Sequence, residues 1–126
     1  MTAVTGAEYR VSVVRADGEL AVVEFSGEVD MANVQSARRQ LVNAVPEDSR
    51  GIVLDLSGLI YLDSAGVRML FDVSEQLEER GARVAASIPP DASVRKVLAI
   101  TRLDTLIPVR DSVHEAAEAA GSGVTP

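Results

Sequence analysis

The sequence lacks cysteine altogether and has one histidine, His114. This excludes a disulfide framework and thiol chemistry, and leaves no zinc-type cluster of His and Cys. No metal and no cofactor are expected. Tryptophan is absent and aromatics make up 3% of the chain, so any core must be aliphatic and rich in alanine. No apolar run approaches the ~20 residues that cross a bilayer. The opening MTAVTGAEYR lacks the basic-then-apolar pattern of a signal peptide. No G-K-[ST] triplet occurs, so a P-loop has no support. Lysine is nearly absent as well: Lys96 stands beside eleven arginines, and the formal charge is −7. That balance disfavours direct binding to nucleic acid through phosphates and favours partners with basic surfaces. The simplest reading is a cytoplasmic protein, with no membrane association, folded as one domain.

What is present reads as alternating strands and helices. Tyr9 to Arg15 alternates, with Tyr9, Val11 and Val13 on one face, and Asp17-Gly18 is a hairpin signal. Leu20 to Phe25 is the returning strand, and residues 27 to 32 read as a loop with Asn33 as a plausible N-cap. A helix follows with Val34, Ala37, Leu41 and Val45 on one face. Ile52 to Leu56 is a buried strand, and a second helix stops at Arg80-Gly81. Arg83 to Ile88 is another strand. Asp91 can cap a short helix bearing Val94, Val97 and Leu98, and Leu106 to Val109 reads as a final strand. Ser112 to Glu115 is a capping box opening an Ala-rich helix. Residues 1–8 and 121–126 are read as flexible ends around a domain at 9–120. The order predicts an α/β fold with a mainly parallel sheet of four to five strands and an antiparallel N-terminal entry strand.

The organising stretch is Gly51 to Phe71, GIVLDLSGLIYLDSAGVRMLF. A buried strand gives way at Ser57-Gly58, and a second apolar patch, Leu59 to Leu62, leads into Asp63-Ser64-Ala65-Gly66. From there Val67, Leu70, Phe71, Ser74 and Leu77 fall at helical spacing. A hydroxyl thus sits where a loop becomes a helix, among unpaired backbone N–H groups. On the residues alone, Ser64 or Asp63 is simply an N-cap.

This stretch resembles the signature of the STAS family, the anti-sigma factor antagonists and their relatives. Asp63-Ser64-Ala65-Gly66 matches the family's Asp-Ser-Ser/Ala/Thr-Gly at a helix start. Gly27-Glu28-Val29-Asp30 matches its Gly-Glu-Leu/Val-Asp at the end of the second strand, and residues 93–120 resemble its closing helix, strand and helix. The resemblance covers roughly Tyr9 to Ala120. It implies a STAS fold with helices mainly on one side of the sheet.

The resemblance also implies a bacterial partner-switching protein that is not an enzyme. The unphosphorylated form would bind an anti-sigma factor, itself a Ser/Thr kinase, and so release a sigma factor. Phosphorylation of Ser64 would end binding, and a phosphoserine phosphatase would reset the switch. Asp30 and Asp63 would lie near the acceptor, either orienting its hydroxyl or capping helices. Gly66, costly by up to ~1 kcal/mol inside a helix, admits either a partner backbone or a tight internal contact. Arg68 departs from the small residue of several family members. Met69 and Val73 form a stripe beside the core stripe. The expected partner face therefore comprises Val29, Asp30, Asp63, Ser64, Ala65, Gly66, Arg68, Met69 and Val73. Two alternatives compete with it. One is a STAS subunit of a lipid-transport, transporter-associated or stress-sensing assembly. The other is a hydrolase built on a G-x-S-x-G elbow. That elbow would need Gly where Leu62 stands and would have only His114 as base. His114 itself reads as exposed and silent.

Overall fold

The computed structural model describes residues 8–17 and 19–121. Gly18 and most of the two ends read as flexible lie outside them. Strand β1 (Tyr9–Ala16) and strand β2 (Leu20–Val29) pair antiparallel. Asp17 builds the turn between them: its Oδ1 accepts from the Leu20 N–H at 2.9 Å and its Oδ2 meets Arg15 at 2.8 Å. The Leu20 bond, then Arg15, lowers the Asp17 carboxyl below its usual range. β2 runs four residues past the expected end at Phe25. It passes Gly27, whose φ is +102° and whose missing Cβ would clash with the Glu8 carbonyl oxygen.

Helix α1 (Val34–Ala44), strand β3 (Gly51–Asp55), strand β4 (Leu59–Leu62), helix α2 (Ser64–Glu79) and strand β5 (Arg83–Ser87) follow. Helix α3 (Ser93–Thr101), a single 3-10 turn (Leu103–Thr105), strand β6 (Val109–Arg110) and helix α4 (Val113–Gly121) complete the order. The sheet runs β1-β2-β3-β5-β6, all parallel except β1, with β4 added beside the end of β2. The count is thus six strands rather than four to five. Leu59 to Leu62, an apolar patch in the sequence, forms a strand.

Period-two alternation divides the core between the two sheet faces. Val23, Phe25, Ile52, Leu54, Val84 and Ala86 lie in the main core with α1, α2 and α3. Leu20, Val22, Val53 and Ala85 face the other way, onto Ala116 and Ala120 of α4. Among the described residues, helices therefore sit mainly on one side, and α4 covers the other. Ser112 caps α4 as expected, its Oγ accepting from the Glu115 N–H at 3.2 Å. α2 stops on Gly81 at φ +94°.

Several local expectations are corrected. Asp91 does not cap α3, whose N-cap is Ala92 with no side-chain bond. Leu106 ends the 3-10 turn rather than opening a strand, and β6 begins at Val109. The largest correction concerns α2. Met69 is 2% exposed and Val73 0%, so both are core, whereas Phe71, expected in the core stripe, is half-buried. The reason is tertiary: α2 lies against α1 as well as β4 and β5, which widens its buried arc beyond one stripe.

Candidate functional site

The site forms where the ends of β2 and β4 meet the start of α2. β2 and β4 run parallel there, with Val29 beside Leu62, and the Asp63 N–H donates to the Val29 carbonyl at 3.2 Å. That ladder fixes Asp63 in an extended conformation at the N-cap of α2. Its Oδ1 accepts from the Gly66 N–H at 3.0 Å. Its Oδ2 accepts from the Met31 N–H, also at 3.0 Å, across the gap to the β2–α1 loop. One carboxylate therefore caps the helix and ties down the neighbouring loop.

That loop is closed by its own polar groups. The Asp30 Oδ1 accepts from the Ala32 N–H at 2.9 Å, an Asx turn. The Asn33 side chain does not cap α1: its Oδ1 accepts from the Asp30 N–H and its Nδ2 donates to the Glu28 carbonyl, both at 3.0 Å. Asp30 and Asn33 thus hold each other, and Asp30 is a turn-former rather than a helix cap.

Ser64 is the first residue of α2 and is exposed. Of the two candidate caps, Asp63 fills the role. The Ser64 hydroxyl makes no hydrogen bond among the described residues. Ser57, by contrast, gives its hydroxyl to the Asp55 carboxylate at 2.7 Å, and Ser74 is 0% exposed. Gly66 is buried. A Cβ there would meet the Leu62 Cδ2 at 2.8 Å and the Val29 Cγ1 at 3.3 Å, so its smallness serves packing inside the domain.

Of the residues expected at a partner face, the structure brings Asp30, Asp63, Ser64, Ala65 and Arg68 to the surface. Val29, Gly66, Met69 and Val73 are interior. Met31, Ile60 and Tyr61, outside the expected face, are large apolar side chains that stand 79%, 62% and 50% exposed. Met31 is tied to Asp63 through its N–H, and Tyr61 stands two residues before it. Consecutive exposure at Ile60 and Tyr61 comes from a register shift: Gly27 pairs with Leu59, but Glu28 pairs with Tyr61. Such a bulge re-aims side chains. The signal in the sequence was Met31, an apolar residue in an otherwise polar loop.

His114 is on α4, across the sheet from α2, and approaches Glu118 at 3.5 Å. Among the described residues no group of three or more His, Cys, Asp or Glu could hold a metal ion. No described helix is long and apolar enough to cross a membrane.

Residues 11–116 match the family model described as the STAS domain. The chain is similar to BtrV of Bordetella bronchiseptica, assigned by name as an anti-sigma factor antagonist. The two are 33% identical over 118 residues, covering 93% of this chain and 98% of that one. It is 26% identical over 98 residues to the anti-sigma-F factor antagonist RsfB of Mycobacterium tuberculosis, covering 77% of this chain and 78% of the relative. Its structure superposes on an anti-sigma factor antagonist from Mycobacterium paratuberculosis with a TM-score of 0.76 at 26% identity, covering 90% and 94% of the two chains. Unphosphorylated SpoIIAA shares the fold, with a TM-score of 0.67 at 22% identity over 93% and 100% of the chains. With the family pattern matched over nearly all the described residues, the chain belongs to the STAS-domain family.

Proposed function

We propose that this chain is an anti-sigma factor antagonist that binds its partner when unphosphorylated and releases it when Ser64 is phosphorylated. The observation that carries the reading is the free, exposed Ser64 hydroxyl at the start of α2, beside a carboxylate already engaged by two backbone donors. The names of its relatives, anti-sigma factor antagonists, supply the partner class. The partner is read as an anti-sigma factor with Ser/Thr kinase activity, and a phosphoserine phosphatase reverses the mark. Asp30 and Asp63 contribute by fixing the loop around the hydroxyl.

The partner-facing surface is read as Met31, Ile60, Tyr61 and Arg68 around Ser64. Met31, Ile60 and Tyr61 supply exposed apolar area, which the interior residues Met69 and Val73 do not. Phosphate adds about −1.5 to −2 charge at a point next to the Asp63 carboxylate. At the edge of a docked surface, desolvation and repulsion of that charge would cost several kcal/mol. No rearrangement of the domain is required.

The test is reconstitution with the cognate anti-sigma kinase and Mg-ATP. Intact mass should show one phosphate on the wild type and none on Ser64→Ala. Ser64→Ala should still bind, and the phosphorylated chain should not. Phosphate mapped to Ser57, or binding that survives full modification of Ser64, would overturn the reading.

A further inference from the structure

We propose that a phosphate on Ser64 is held by Arg68 of the same helix, so that modification also withdraws an unpaired cation from the surface. The inference rests on the reading of Ser64 as the phosphoacceptor. Ser64 and Arg68 are both exposed on α2 and lie four residues apart, one helical turn. Side chains so spaced have Cβ atoms about 5–6 Å apart, and an acidic group four residues before a basic one is the favourable order. Long helical side chains lean toward the N-terminus, which carries Arg68 back over Ser64 rather than away from it.

Arg68 is available for this role. It makes no ion pair or hydrogen bond among the described residues. Its acidic neighbours along the groove are Asp72 and Glu75. Asp72, one turn further on, faces Arg38 at 3.6 Å. A phosphate brings more charge than a carboxylate and three acceptor oxygens, and a guanidinium fork meets it with paired N–H groups. On the other side, Asp63 is pinned by the Gly66 and Met31 N–H groups and repels the phosphate. Repulsion from behind and attraction from ahead direct the phosphate along the helix toward Arg68.

The consequence is a switch with two electrical parts. In the unmodified chain Arg68 is a free cation on the exposed face of α2, one turn from Ser64 and suited to an acidic side chain of the partner. After modification it is neutralised within its own helix, and a new negative charge faces the same acid. One event removes an attraction and adds a repulsion.

The experiment installs phosphoserine at position 64 during synthesis, without kinase or partner, and follows its second ionisation by phosphorus NMR. The ordinary midpoint is about 6. In the otherwise wild-type chain it should lie below that, and Arg68→Gln should raise it by about half a unit. Arg38→Gln should leave it unmoved. Amide dispersion in the same samples reports that each variant is folded. Equal midpoints with and without Arg68, or a midpoint that follows Arg38 instead, would overturn the pair. Because the phosphate is installed directly, either result is independent of whether a kinase modifies Ser64, which the reconstitution above decides.

Discussion

Replacing Asp63 by Asn separates two jobs that one carboxylate performs. Asn keeps an acceptor for the Gly66 N–H but presents an NH2 group to the Met31 N–H, so the cap survives and the tether to the β2–α1 loop is lost. Asp63→Ala loses both. An N-cap is worth about 1 kcal/mol. The tether, a hydrogen bond at an exposed site, adds about 1 kcal/mol. For a chain of 126 residues, each kcal/mol moves the melting temperature by about 3–5 °C. Calorimetry should therefore show a fall of about 3–5 °C for Asp63→Asn and about 6–10 °C for Asp63→Ala. Amide exchange should resolve the two: Met31 loses protection in both variants, Gly66 only in Asp63→Ala. An Asp63→Asn chain that melts with the wild type and keeps Met31 protected would refute the tether. An Asn variant as unstable as the Ala variant would refute the separate cap.

Other outcomes follow from the same geometry. Met69→Lys places a charge at a side chain 2% exposed and should destabilise the domain by several kcal/mol, seen as a collapse of the melting transition rather than a selective loss of binding. Gly66→Ala gains helix propensity, yet its Cβ would press on Leu62 at 2.8 Å. A net loss of about 1–3 kcal/mol in urea unfolding is expected, and an unchanged midpoint would show that Leu62 yields freely. Tyr61→Ser and Met31→Ser should leave stability within about 0.5 kcal/mol while weakening partner binding at least tenfold, about 1.4 kcal/mol. Glu118→Lys on α4 should leave binding intact in the same titration. Normal binding by both surface variants would place the interface elsewhere.

The parts of the fold legible in the sequence were those set by local pattern. The apolar run at Ile52 to Leu56, the capping box at Ser112 and the stop at Gly81 each state their structure within a few residues. The Asp63-Ser64 turn was legible too, although the residues alone left the cap between them. The structure assigns it to Asp63, whose extended backbone continues the ladder from Val29. What escaped was decided by distant partners. A helical stripe shows one wall of the core, but α1 supplies α2 with a second wall, and so Met69 and Val73 went inside. Four residues, Leu59 to Leu62, are too few to declare a strand until the end of β2 lies beside them. Asn33 is a good cap by residue type, yet Asp30 and Glu28 took its side chain first. Exposure at Ile60 and Tyr61 escaped for the same reason: it depends on a bulge against β2 that nothing in their own neighbourhood announces.

The single helix on the second sheet face bears on how the chain matures. Domains fold as the ribosome delivers them, at about 5–20 residues per second. The main core can assemble once the chain has emerged through Ile107, because its buried side chains all lie at or before that residue. Leu20, Val22, Val53 and Ala85 have no cover until Ala116 and Ala120 arrive. For that interval the nascent domain presents a greasy flank of early residues that only a late segment can seal. Chaperone engagement during synthesis would therefore concentrate on this flank, on the side of the sheet away from Ser64.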